Sequence, residues 1–165
     1  MTRRRQLLQA GALGTAATFT TSLYAQTRPT VRWRMAALYP RSLDTCYGAT
    51  EQMCKRVGEL TDGKFSITLH PPGDLVPPLQ VLDAVSAGTV EAGQVTGTFY
   101  FGKNPALMFE SGLPFGMNAR QQNAWMYEGG GIDLMNAFYK KYNIFGLPGG
   151  NTGAQMGGWF RKEIN

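Results

Sequence analysis

The sequence predicts an α/β fold: a mostly parallel sheet flanked by helices. Short apolar, β-branched runs alternate with stretches whose apolar residues recur every three or four positions, in the order β-α-β-α-β. Proline- and glycine-rich breaks separate them. That order implies right-handed crossovers and helices packed outside a parallel sheet.

Val31 to Leu38 ("VRWRMAAL") alternates apolar and polar before turning apolar, and reads as the first strand. "YPRS" breaks it, and Ser42 is placed to cap a helix running to about Leu60. Along that helix Cys46, Ala49, Met53, Val57 and Leu60 form the expected buried stripe. "TDGK" is a turn, "FSITL" a second strand ending at His70, and "HPPGDLVPP" a loop too rich in proline for helix or central strand. Next comes a helix with Leu79, Leu82 and Val85 on one face and Gly88 as its C-cap, then a short third strand in "TVEAGQV". Asn118 is placed to cap "ARQQNAWMY", and the glycines at 129–131 break that helix. A further helix follows with Leu134, Phe138 and Tyr142 inward, and "NIFGLPG" reads as one more short strand.

A hydrophobic content of 43% and a charged content of 16% fit a folded domain and exclude disorder. The net charge of +5 is unevenly placed: Arg3, Arg4 and Arg5 open the chain, and no acidic residue precedes Asp44. Residues 1–25 have a basic start, a mildly apolar stretch and a small residue, Ala25, at the end. This is the layout of an export signal, with Arg4-Arg5 resembling the twin-arginine variety. Without them, 13 basic groups face 11 acidic ones, so the charge carries no nucleic-acid signal. Cys46 and Cys54, if on one helix, are separated by about 12 Å of rise, beyond a disulfide's reach. They read as small core hydrophobes.

No catalytic constellation is complete. "GLPGGNTGAQMGG" follows a strand but lacks the Lys-Ser/Thr of a phosphate loop. The single histidine, His70, stands beside two prolines and reads as a surface residue, too little for a zinc site or a Ser-His-Asp triad. What stands out is neutral: Phe99, Tyr100 and Phe101 after the third strand, and Asn151, Thr152 and Gln155 after "NIFGLPG". In open α/β sheets ligands bind beyond the carboxyl ends of the strands. Such groups suit a small polar molecule held by hydrogen bonds and ring contacts. The other reading makes the aromatics core and the polar residues turn formers.

"YPRSLDTCYGATEQMCKRVGELTDGKFSI", "PPLQVLDAVSAGTVEAG", "PFGMNARQQNAWMYEGGGIDLM" and "NTGAQMGGWFRKEI" resemble the extracytoplasmic solute receptors of TRAP (tripartite ATP-independent periplasmic) transporters. Within these the match is to the subfamily that binds 2-oxo acids such as pyruvate, and it covers residues 30–165. The resemblance implies a periplasmic binding protein-like fold whose two lobes close on ligand. It implies a periplasmic receptor without catalysis that captures a small 2-oxo monocarboxylate for the membrane components of a transporter.

By the same resemblance, Gln155 would give its amide oxygen to a bound sodium or calcium ion, Tyr100 would line the pocket with Phe99 beside it, and Asn151 and Thr152 would stand at the rim. The arginine that pairs the ligand carboxylate in the family lies past "WFRKEI", and Arg161 does not hold that position. The chain thus reads as an export signal (1–25), lobe one (26–150) and the start of a crossing strand (151–165), truncated before a second lobe. Two other classes stand beside this one: a twin-arginine-exported periplasmic enzyme, which would need a metal or cofactor cluster, and a ligand-indifferent structural α/β domain.

Overall fold

β1 (Val31–Ala37) is the central strand. In the computed structural model, which describes residues 29–153 and 160–163, it pairs in parallel with β2 (Phe65–His70) and β3 (Ala92–Gln94), in the order β2-β1-β3. Val31 to Ala36 stand opposite Phe65 to His70, whereas only Met35 to Ala37 stand opposite β3. The first four residues of β1 are therefore exposed and the last three buried. Packing concentrates at the carboxyl end of the sheet.

The first crossover is α1 (Tyr47–Leu60). It starts later than Ser42 suggests. The N–H groups of Cys46 and Tyr47 both bond to the Leu43 carbonyl, a turn that occupies the expected first coil, and the N-cap is Cys46 with no side-chain cap bond. The buried stripe is also rotated from the expected one. Tyr47 and Cys54 are buried and Val57 partly so, while Met53 and Leu60 are 42% and 71% exposed. At 100° per residue the two stripes differ by about 90°. The one that wins carries threonines whose hydroxyls are satisfied: Thr50 Oγ1 donates to Cys46 O, and Thr61 Oγ1 donates to Val57 O and accepts from Phe65 N–H. Both cysteines are free thiols.

A 3₁₀ turn (Pro78–Gln80) leads into α2 (Val81–Ser86), which buries Val81, Leu82 and Ala84. Leu79 falls in the turn and is exposed, so the expected Leu79–Leu82–Val85 face gives way to one centred on Val81. Gly93 of β3 makes room for it: a Cβ there would lie 2.6 Å from Val81 Cγ1. Gly88, at φ +71°, ends α2 as expected, with Gly88 N–H bonded to Val85 O and Thr89 N–H to Ala84 O.

Asn118 caps α3 (Ala119–Tyr127) in a reciprocal capping box with Gln121. Gly129 and Gly130 separate it from α4 (Gly131–Tyr139), which continues as a 3₁₀ turn (Lys140–Tyr142). Met135, Asn136 and Tyr139 of α4 face inward, Phe138 and Tyr142 are half-buried, and Leu134 is 63% exposed, contrary to its expected inward place. Residues 144–150 are not a strand. Phe145 and Leu147 face outward, and the backbone at Gly146 is held by the Asn136 side chain and not by a ladder.

Among the described residues two clusters form the core. Ala36, Val81, Ala84 and Val90 join α2 to the sheet; Leu82, Tyr100, Leu107, Met135 and Tyr139 join α2 to α4. The expected export segment lies outside the described residues, as does most of the expected crossing strand; Asn151 to Gly153 and Phe160 to Glu163 are exposed and in no strand.

Candidate functional site

Where β1 and β3 end, their chains stay together for one more bond, Leu38 N–H to Gln94 O at 2.9 Å. Beyond it Tyr39 and Thr96 meet, hydroxyl to hydroxyl, at 2.5 Å. β3 then enters a 3₁₀ turn, Gly97–Tyr100. Phe99 on that turn sets its ring edge-on to Tyr39, centroids 6.2 Å apart at 72°. Tyr39, Thr96 and Phe99 thus form an aromatic and hydroxyl wall at the carboxyl end of the sheet, where a ligand of an open α/β sheet belongs.

Beside the wall, Gln94 turns its amide toward α1: Nε2 donates to Cys46 O and Thr50 Oγ1, both at 2.6 Å. Its Oε1 is buried without a protein partner, as is the hydroxyl of Tyr47 on α1. Buried polar atoms of this kind need water or a bound molecule to satisfy them. The Arg41 guanidinium stands over the Tyr47 ring, 5.8 Å from its centroid.

The two aromatic candidates on one turn have opposite placements. Phe99 is 52% exposed and belongs to the wall. Tyr100 is 2% exposed in the core, and its phenol oxygen accepts the Leu82 N–H at 3.2 Å. Burial pushes its pKa up, so it is a neutral anchor for the start of α2. Phe101 is again exposed. Asn151 is exposed and its Oδ1 accepts the Gly153 N–H at 2.9 Å; Thr152 is exposed beside it. Gln155, the residue expected at a cation, lies outside the described residues. Tyr39, Thr96 and Gln94 escaped the sequence reading, although the rule that ligands sit beyond strand ends points to the residues directly after β1 as well as those after β3.

The ends of the strands are braced from outside. Lys103, after the turn, pairs with Asp83 of α2 at 2.7 Å. His70 is half-buried at the end of β2, its Nδ1 4.0 Å from Asp74 Oδ2. Among the described residues no three His, Cys, Asp or Glu side chains gather as metal ligands, and no helix is long and apolar enough to cross a membrane.

A parallel sheet flanked by helices, with neutral aromatic, hydroxyl and amide groups at its carboxyl edge, has the architecture of a periplasmic-binding-protein lobe. The chain belongs to the DctP family, the bacterial extracellular solute-binding proteins of family 7, whose sequence profile matches residues 37–165. It is 50% identical, over 98% of its length, to a monocarboxylate 2-oxoacid-binding periplasmic protein of Nostoc sp., of which it covers 46%. A TRAP transporter solute-binding protein of Bordetella bronchiseptica, solved with calcium and picolinate, is 60% identical, with a TM-score of 0.78 over 82% of this chain and 40% of that one. Another, from Pseudoalteromonas atlantica with sodium and pyruvate, is 40% identical, also with a TM-score of 0.78, over 82% of this chain and 41% of that one. The chain spans less than half the length of each of these relatives.

Proposed function

We propose that this chain is the first lobe of an extracytoplasmic receptor that captures a small 2-oxo monocarboxylate of the pyruvate type, with a sodium or calcium ion, and hands it to the membrane components of a TRAP transporter. The supporting observation is the wall of Tyr39, Thr96 and Phe99 at the carboxyl edge of the sheet, in a chain 50% identical to a 2-oxoacid-binding protein. The receptor binds without catalysis. Hydroxyls and ring edges suit hydrogen-bonding and enclosing a small planar acid.

In this reading Phe99 and Tyr39 line the pocket. Tyr100 acts from beneath by seating the turn. Asn151 and Thr152 close the rim, and Gln155 contributes its amide oxygen to the cation. The ligand carboxylate calls for a planar guanidinium partner, which the relatives' additional length would supply. Arg4-Arg5 would direct export by the twin-arginine route to the periplasm.

Calorimetry tests the reading. Residues 26–165 alone should give negligible heat with pyruvate in the presence of sodium or calcium. The same residues, replacing their counterpart in the Bordetella bronchiseptica relative, should bind it with micromolar affinity. A chimera that folds but ignores pyruvate and other small 2-oxo acids would overturn the proposal.

A further inference from the structure

We propose that Glu110 is a positioning residue for the ligand wall: its carboxylate holds the Gly97–Tyr100 turn and thereby sets where Phe99 and Thr96 stand. The inference rests on the receptor reading for its functional meaning, but its geometry stands apart from it. The turn is fastened to the segment Pro105–Ser111, itself a 3₁₀ helix over Pro105–Glu110. Glu110 Oε1 accepts the Gly97 N–H at 2.7 Å, and Ser111 Oγ meets the Thr98 N–H and Oγ1 at 3.2 and 2.5 Å. The approach is so close that a Cβ on Gly97 would lie 2.0 Å from the Leu107 carbonyl oxygen.

The second carboxylate oxygen, Oε2, accepts the hydroxyl of Tyr139 on α4. Gln122 of α3 donates to the backbone carbonyls of Phe109 and Glu110 at 3.2 and 3.0 Å. One carboxylate therefore joins the turn at the end of β3 to the helical layer behind it.

A glutamate whose only task was to cap the turn could have stayed in water. This one is desolvated, and burial pushes its pKa up while the Gly97 N–H and the Tyr139 hydroxyl favour its ionised form. Tyr139 is the titratable group that faces it from α4. Its own pKa is pushed far up by burial and by the Glu110 charge, so it remains a donor. From α3 the facing group is the neutral Gln122, and the turn offers only backbone and hydroxyl groups. Protonating Glu110 removes the charge that strengthens both bonds, and the Tyr139 hydroxyl must turn round to accept from the new carboxyl proton. The turn should loosen as pH falls, starting above the range where an exposed glutamate titrates.

The full chain, labelled for amide NMR, tests this directly. In the wild type, the Gly97, Thr98 and Phe99 amides should titrate together with one midpoint above the ordinary glutamate range. Glu110→Gln should abolish that titration and leave exchange at these amides within a few-fold of wild type at neutral pH. It can do so because its amide oxygen still accepts from Gly97 while its NH₂ donates to a Tyr139 hydroxyl turned to accept. Glu110→Ala should speed exchange at Gly97 and Thr98 on the order of tenfold. Persistence of the titration in Glu110→Gln, or unchanged exchange in Glu110→Ala, would overturn the proposal. If the titration behaves as expected while the chimera still ignores pyruvate, the receptor reading fails and the positioning of the turn stands.

Discussion

The side-chain amide of Asn136 and the backbone of Gly146 bond in both directions. Asn136 Nδ2 donates to the Gly146 carbonyl at 3.0 Å, and Asn136 Oδ1 accepts the Gly146 N–H at 2.7 Å. An amide side chain offers the same donor and acceptor as a peptide group, so α4 holds the extended segment after it much as a neighbouring strand would. The contact is tight, since a Cβ on Gly146 would stand 2.9 Å from Cε2 of Tyr139.

Removing this clamp should destabilise the lobe. Asn136→Ala leaves a backbone donor and acceptor without partners in a half-buried setting, a loss of about 1–3 kcal/mol. Gly146→Ala forces its methyl into the Tyr139 ring, at a cost of about 1–3 kcal/mol. Urea unfolding followed by circular dichroism measures both. Midpoints equal to wild type would show that the clamp contributes nothing.

Two other glycines are required by close approach and should differ in severity. At Gly93 an added methyl meets Val81 Cγ1 at 2.6 Å, the tip of a side chain, and Gly93→Ala should cost about 1–3 kcal/mol. At Gly97 it meets the Leu107 carbonyl oxygen at 2.0 Å, which is backbone and cannot turn aside. Gly97→Ala should therefore destabilise more than Gly93→Ala in the same urea titration, and the reverse order would contradict the packing described.

Phe99 and Tyr100 should separate binding from stability. Tyr100→Phe strands the Leu82 N–H and should lower stability by about 1–2 kcal/mol. Phe99→Ala removes a half-exposed ring and should leave the unfolding midpoint nearly unchanged while weakening pyruvate binding in the chimera several-fold. If Tyr100→Phe weakened binding without touching stability, the two residues would have exchanged roles.

Arg34 and Glu91 make stability depend on acid. Arg34 Nε and Nη2 bond the two Glu91 oxygens at 3.0 and 2.6 Å, its backbone N–H adds a third bond at 2.8 Å, and Nη2 also reaches Thr89 O. These bonds hold the Glu91 carboxyl at about 2, below its usual 4.5. A depressed folded-state pKa means that the contribution is fully present above the ordinary glutamate range. It is lost as pH falls from there toward 2. The pair is solvent-exposed, so salt should shrink the effect. Thermal midpoints measured from pH 6 to pH 2 should fall less steeply in Glu91→Gln than in wild type, and parallel curves would remove this pair from the account.

Much of this lobe was legible in the sequence because the signals are local. Asn118 with Gln121, and Gly88 after its helix, act on groups three to five residues away, so these two ends fall where the residues put them, whereas the Ser42 cap gave way to the turn at Leu43. Period-two and period-3.6 patterns set the β-α-β-α-β order, and the helical crossovers between successive strands make the sheet parallel. The neutral, aromatic character of the strand ends was readable too.

Tertiary structure decided which faces turn inward. α1 carries two overlapping apolar stripes, and only the sheet with Gln94 reaching for Cys46 O and Thr50 selects the one through Tyr47 and Cys54. On the 3₁₀ turn, successive side chains point about 120° apart, so whether Phe99 or Tyr100 faces the wall depends on where Leu82 offers its N–H. Tyr39 meets Thr96 across 57 residues of sequence, and Asn136 stands in for a strand at Gly146. Residue pattern determines the kind and order of elements, since backbone propensity and capping act over a few residues. The partners of a side chain are set by what the chain brings up from far away, and that is a property of the packed lobe.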